Sequence, residues 1–226
     1  MNSFICVLFK PKPVMSTTVN KSVYTPEWVE KLYRGCQRNC RVPFRFVCIT
    51  DHRKEQFSNN IEVVPFKYKK HVGTWLCVNE VLRADLELGT AVMMGLDTVV
   101  LGDITGLFSY KGPLALLKPL SGTLSGWNGV SVYNDLGRLW ERYRANPEKA
   151  DSESRYQRWA RHQGSENLWW LKMVPDHDLL PDVCPDVDIR SYKYEREKCE
   201  TADISFFQGR HKPDTAPEAW VKKHWR

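Results

Sequence analysis

The chain has 226 residues, of which 42% are hydrophobic and 27% charged, enough apolar material for a sizeable core and too much for a disordered chain. No run of 18 apolar residues occurs, so a membrane-spanning helix is not expected. The net charge of +6 and pI of about 8.9 favour anionic partners: nucleotides, phosphorylated sugars, nucleic acid or a membrane surface.

The first apolar run, Ser3 to Phe9, follows no basic segment and precedes no small-residue cleavage site, so it reads as a first strand and not as a signal peptide. Pro11 and Pro13 forbid a helix in the polar segment that follows. Thr25-Pro26-Glu27 then supplies a helix start, with a hydroxyl at the cap, proline at the first position and an acid in the first turn. Trp28, Val29, Leu32, Tyr33 and Cys36 form one apolar face, and the helix should end near Asn39. Residues 43–49 predict a strand that exits in Thr50-Asp51, and 61–65 a shorter one. The basic run Lys67–His71 reads as a loop, and a helix is expected from Trp75 to Leu88.

The next stretch, Ala91 to Ile104, places Gly95-Leu96-Asp97 between two β-rich apolar runs. Asp97 is thereby held at the exit of a buried strand. Taken alone it is equally a turn cap, but the carboxyl end of a strand in an open α/β sheet is where ligands bind. Beyond it come strand candidates at 113–117 and 129–133, loop chemistry at 121–126, and helices at 135–144, 152–162 and 166–173. An acidic, proline-rich loop is expected at 175–185, a late strand at 203–207 and a last amphipathic helix at 217–225. The alternation of strands and helices over the first hundred residues predicts an α/β fold with a mostly parallel sheet flanked by helices. No repeat or composition break divides the chain, so one domain is expected. The seven cysteines are odd in number and contain no Cys-x-x-Cys, which suits reduced, mostly buried thiols in a cytoplasmic protein.

The order of these pieces carries a resemblance. Thr50-Asp51, Leu96-Asp97-Thr98, Asn128-Gly129-Val130-Ser131, Ser191-Tyr192-Lys193 and Phe206-Phe207-Gln208-Gly209-Arg210-His211-Lys212-Pro213 follow one another at spacings similar to those of the GT-A-fold nucleotide-sugar glycosyltransferases. The match looks closest to small bacterial and phage relatives of the glycogenin-like group, and it covers Tyr24 to the C-terminus. It implies a single Rossmann-like domain over 1–226, with a nucleotide-binding half (1–104) and an acceptor-side half (105–226). It also implies transfer of a sugar from a nucleoside diphosphate donor, UDP-linked, to a hydroxyl. The acceptor would be a saccharide or, as in phage relatives, a hydroxymethylated base in DNA, a reading that the net charge and the Lys67–His71 run suit.

In that family an Asp-x-Asp motif holds Mn²⁺ or Mg²⁺, which neutralises the departing diphosphate. Here Gly95 stands at the first aspartate and Asp97 at the second, and the family's later histidine ligand is Gln208. The resemblance therefore implies a weakened metal site at Asp97 and Gln208. Three outcomes stay open: a metal held mainly by the diphosphate, a metal-independent site using Arg210 and Lys212, or a catalytically impaired binding protein. The glycine is also expected to free space and relax the backbone. By the same resemblance the donor would contact Tyr24, Thr50, Asp51, Leu96, Asp97, Asn128, Gly129, Gly209, Arg210 and Lys212. Catalysis would fall to Asp97 and to Glu166, the latter as a sugar contact or a base. Trp169-Trp170 reads as core or as an acceptor platform, and the basic, aromatic tail as a solvated helix face or an anion-binding surface.

Overall fold

The computed structural model describes residues 1–10, 24–122, 124–155, 165–209 and 211–226. Its framework is a seven-stranded sheet in the order β3-β2-β1-β4-β7-β6-β8. The strands are β1 (Ser3–Leu8), β2 (Arg45–Thr50), β3 (Ile61–Pro65), β4 (Thr90–Met94), β6 (Leu114–Leu117), β7 (Trp127–Asn134) and β8 (Asp178–Leu179). The pairs β1–β2, β2–β3, β1–β4 and β6–β8 are parallel, and β7 runs antiparallel to both its neighbours. The fold is therefore mixed α/β with a mostly parallel sheet, as the alternation of elements predicts.

Side-chain alternation along β1 divides the interior into two cores. Phe4, Cys6 and Leu8 join the face covered by helix α1 (Pro26–Asn39), whose Trp28, Val29, Leu32 and Cys36 are buried there. Ile5 points the other way, into a core shared with Leu76, Val81, Trp140, Tyr143 and Trp170. That second core is closed by α2 (Gly137–Ala145), α3 (Pro147–Glu153) and α4 (Glu166–Met173). A smaller three-stranded sheet, in the order β5-β10-β9, stands beside the large one. It holds β5 (Thr98–Val100), β9 (Ile189–Ser191) and β10 (Ile204–Phe206), with α5 (Leu180–Val183) before it and α6 (Ala219–His224) after it.

Several expectations need correction. The helix expected over 75–88 is wound as 3₁₀ turns, Trp75–Leu82 and then Ala84–Leu86, separated by extended Arg83. Buried Glu80 is the reason the region is held in this form: its carboxylate accepts from the Lys67 and Tyr68 N–H groups at 2.9 and 2.6 Å and from Arg83 at 3.0 Å. These tertiary bonds outweigh intrinsic helix preference. The loop expected over 175–185 contains β8 and α5, because Leu179 pairs with Leu116 and Leu180 is buried. The helix expected over 152–162 is placed earlier, as α3, and its residues 156–162 lie outside the described ones. Strand β9 was not foreseen, since its three residues lie in no apolar run.

Both Trp169 and Trp170 are core residues, and the Trp170 indole donates to Asn79 Oδ1 at 2.8 Å. Trp220 and Trp225 are buried while Lys222 and Lys223 face solvent, so the tail is a helix with one packed face. All seven cysteines are free thiols, and six of them are buried. No helix among the described residues is long and apolar enough to cross a membrane.

Candidate functional site

The chain lays β1, β2 and β3 outward in one direction, then returns to place β4 on the other side of β1. That reversal opens a crevice at the carboxyl ends of β1 and β4, where a ligand meets loops diverging to both sides. Gly95-Leu96-Asp97 is the loop that leaves β4 at this point. Leu96 is buried and anchors it. On one flank, Gly95 N–H donates to Gly129 O at 2.9 Å, which brings the start of β7 alongside. On the other, Phe207 N–H donates to Asp97 O at 2.9 Å, which brings in the end of β10. Backbone bonds thus fix Asp97 between Gly129 and Phe207, which lie 32 and 110 residues downstream in sequence.

The Asp97 carboxylate meets two partners at a single oxygen. The Tyr24 hydroxyl donates to Oδ2 at 2.8 Å, and the Lys212 ammonium forms an ion pair with the same oxygen. Lys212 also donates to the Tyr24 hydroxyl oxygen at 2.7 Å, closing a three-membered cluster. The Asp97 and Lys212 side chains are 18% and 17% exposed, so the cluster faces the crevice without being loose in solvent. Burial, then the neighbouring Asp97 charge, pushes the Tyr24 phenol far above its usual range, so it stays a donor. Its ring stands edge-on to Trp28 at 5.0 Å, and Trp28 packs on Trp225 at 4.6 Å. Lys31 lies over the Trp225 ring at 3.8 Å. This aromatic support was missed in the sequence, where Trp28 read as the apolar face of one helix and Trp225 as part of a basic, aromatic tail.

A second polar group gathers across the β4–β7 boundary. Asn128 of β7 donates from Nδ2 to Glu166 Oε1 at 3.2 Å, and Glu166 opens α4. Desolvation raises the Glu166 carboxyl to about 7, although the Asn128 contact and two backbone N–H groups act to lower it. Neighbouring Asn167 donates to Gly126 O at 3.2 Å, and its buried Oδ1 has no partner among the described residues. Asn167 was not among the expected contacts, although the resemblance matches Glu166-Asn167 to an Asp-Gln pair of the family.

The remaining expected residues divide. Gly129 lies in this group, and a Cβ there would meet only Phe206 and Leu117 side chains at 3.6 and 3.7 Å. Gly209 sits in an exposed turn at φ +64°, a conformation that favours glycine, and Gln208 is half-buried just before it. Thr50 is buried, and its hydroxyl accepts from His52 N–H at 3.0 Å, which makes it a turn cap at the end of β2. Asp51 is exposed and accepts from Lys10 N–H at 3.3 Å, two strands away from β4. Arg210 lies outside the described residues.

The donor set around Asp97 does not fit a divalent cation. Mg²⁺ and Mn²⁺ need several hard oxygen ligands. Among the described residues, no three His, Cys, Asp or Glu side chains converge in a way that could hold a metal ion. Asp97 supplies one carboxylate, and its Oδ2 already holds an ammonium. Gly95 is not needed for its backbone, since its φ is not positive. It is needed for space: a Cβ would sit 3.0 Å from Asp97 Oδ1 and 3.6 Å from Gly129 O. The space freed by the glycine, expected beside Leu96, lies against Asp97 and Gly129.

Neither the protein-family models nor the curated proteins match this chain in sequence. Solved structures do match its fold. The glycosyltransferase GlyE of Streptococcus pneumoniae TIGR4, in its apo form, superposes with a TM-score of 0.65 at 12% identity, over 94% of this chain and 55% of that one. The chain thus spans about half the length of GlyE. The galactosyltransferase LgtC, in complex with donor and acceptor sugar analogs, gives 0.55 at 11% identity over 93% of this chain and 88% of that one. The bifunctional glycosyltransferase WbbM, apo, gives 0.63 at 11% identity over 94% and 46%. The fold is that of GT-A-type glycosyltransferases.

Proposed function

We propose that this protein is a glycosyltransferase that moves a sugar from a nucleoside diphosphate donor, UDP-linked, to a hydroxyl group. The observation that supports this most directly is an ion-paired lysine beside the exit of β4, with a carboxyl raised toward neutrality on the neighbouring segment that the Gly95–Gly129 backbone bond brings alongside. Lys212, held by Asp97 and Tyr24, suits a diphosphate. Glu166, raised to about 7, suits proton transfer near physiological pH. In this reading Lys212 receives the diphosphate, with Leu96, Gly129 and Gly209 shaping its cradle. Thr50 and Asp51 end β2, at the carboxyl ends of the same sheet, and in this reading they serve the donor's ribose and base.

In the reaction the bond between the sugar's C1 and the β-phosphate oxygen breaks, and its electron pair leaves with the nucleoside diphosphate. The acceptor oxygen bonds to C1, and its proton passes to Glu166. Asn128 holds that carboxylate in place at 3.2 Å.

A saccharide is the favoured acceptor. The LgtC structure contains donor and acceptor sugar analogs, and it shares the fold over most of both chains. A hydroxymethylated base in DNA is less well supported, because the basic run that would recognise phosphates is engaged elsewhere. Lys67 pairs with Asp85 at 2.9 Å, Lys70 with Glu148, and the buried His71 ring with Tyr143. Double-stranded DNA binding that weakens steeply with salt would restore that acceptor. Membership of the glycogenin-like group rests on the order of motifs alone.

The test is release of nucleoside diphosphate from a panel of UDP-, GDP- and ADP-linked hexoses, with and without saccharide acceptors. Release stimulated by an acceptor is expected with at least one donor. A donor that binds but is never cleaved would instead support a catalytically impaired nucleotide-sugar-binding protein, the alternative that Gly95 and Gln208 motivate.

A further inference from the structure

Three features at the mouth of the crevice bear on how the leaving group's charge is neutralised. Asp97 is the one carboxylate of the Gly95-Leu96-Asp97 loop, because a glycine stands two residues before it. Its Oδ2 is committed to an ammonium from a segment 115 residues away. A tyrosine hydroxyl bridges the two, donating to the acid and accepting from the base. A cation pinned in this way is preorganised: it needs no reorganisation when negative charge develops before it.

We infer that the Lys212 ammonium occupies the place of a divalent ion, so that a nucleoside diphosphate binds and departs here without metal, and that Asp97 and Tyr24 act as positioning residues for Lys212. This inference rests on the glycosyltransferase reading above. The lack of a side chain at Gly95 is part of the device. A second carboxylate there would crowd Asp97 Oδ1, where a Cβ already comes within 3.0 Å. It would also add a second negative charge competing for the one ammonium. Breaking the C1–O bond leaves the electron pair on the β-phosphate oxygen, directly stabilised by Lys212. The proton of the acceptor goes to Glu166, so no further reactant is required.

The experiment is calorimetric titration of the full chain with UDP, GDP and ADP, in chelator and in Mn²⁺. At least one diphosphate should bind with the same affinity in both conditions, within about threefold. Lys212→Met should weaken that binding by about 10- to 100-fold in both, the range for losing a charge-assisted contact. Asp97→Asn separates the two roles of the acid. A positioning residue replaced by its amide still accepts from Lys212, and binding should fall no more than about threefold; a metal ligand would lose about tenfold or more, and only in Mn²⁺. Circular dichroism and the urea midpoint of each variant establish that it is folded. Should a Lys212→Met chain fail to fold, Lys212→Gln, which retains the stem and a hydrogen-bond donor without the charge, reads the same loss. Binding that appears only with Mn²⁺, or that survives loss of the Lys212 charge, overturns the inference and leaves the glycosyltransferase reading standing. Absence of binding to any nucleoside diphosphate in either condition overturns both.

Discussion

Two acid–base clusters in this molecule are built from the same chemistry and placed to opposite ends. Around Glu80, the acid and Arg83 are both nearly sealed from solvent and three residues apart, and two backbone N–H groups complete the carboxylate. Around Asp97, the three partners are drawn from positions 24, 97 and 212, face the crevice, and share one carboxylate oxygen. In the first cluster both oxygens of Glu80 are hydrogen-bonded inside the protein, and Arg83 is further tied to Asp85 at 2.8 Å. The second is held together by side chains alone, on loops that leave strand ends. A sealed, local cluster is worth stability, whereas a partly exposed one assembled over long range can hold a charged group ready for a ligand.

The largest effect expected from breaking this comparison is on the structural side. Glu80→Ala would leave the buried Arg83 guanidinium without one of its two acidic partners and two part-buried N–H groups without their acceptor, and should cost about 3 kcal/mol of unfolding free energy, read from urea denaturation. Lys212→Met should do the reverse. Turnover of a donor should fall by about 10²- to 10³-fold, the scale for removing a preorganised charge-stabilising donor, while unfolding changes by less than about 1.5 kcal/mol. Equal stability losses in the two variants would erase the distinction between the clusters.

Glu166→Gln sharpens the picture through pH. The native carboxyl titrates near 7 against an unperturbed 4.5. The native state therefore holds a proton that the unfolded chain has lost, and stability must fall as pH rises through that interval and level off above it. The glutamine variant should flatten that slope. It should also abolish the rise in turnover expected near pH 7 when Glu166 becomes able to accept a proton. The smallest effect is expected from Tyr24→Phe, which removes only the bridging hydroxyl: about 1 kcal/mol in nucleotide binding, with the urea midpoint close to wild type. A loss as large as that of Lys212→Met would mean that Tyr24 touches the ligand itself.

Most of the framework was legible because its signals are local. Thr25-Pro26-Glu27 and the spacing of Trp28, Leu32 and Cys36 mark α1 to the residue, and the apolar runs mark β1 to β4. The strand-exit position of Asp97 followed from the same runs. The 3₁₀ winding of Trp75–Leu82 was not legible, because Glu80's bonds to Lys67 and Tyr68 depend on how the chain folds back. The turn at the end of β2, where the Thr50 hydroxyl accepts from His52 N–H, is a bond that the sequence alone does not show. Neither β8 nor β9 could be seen: unlike the equally short β5 and β10, they lie in no apolar run, and they acquire their identity from the neighbours that pair with them.

The amino-acid order by itself determined the α/β class, the edge of the sheet where an acid emerges, and the absence of a carboxylate at position 95. Each follows from short-range periodicity or from residue identity. Only the tertiary structure decided what Asp97 holds. Its partners are separated from it by 73 and 115 residues, and no local pattern records such a distance. Backbone bonds from Gly95 to Gly129 and from Phe207 to Asp97 bring the flanking segments together, and the ammonium of Lys212 meets the carboxylate there.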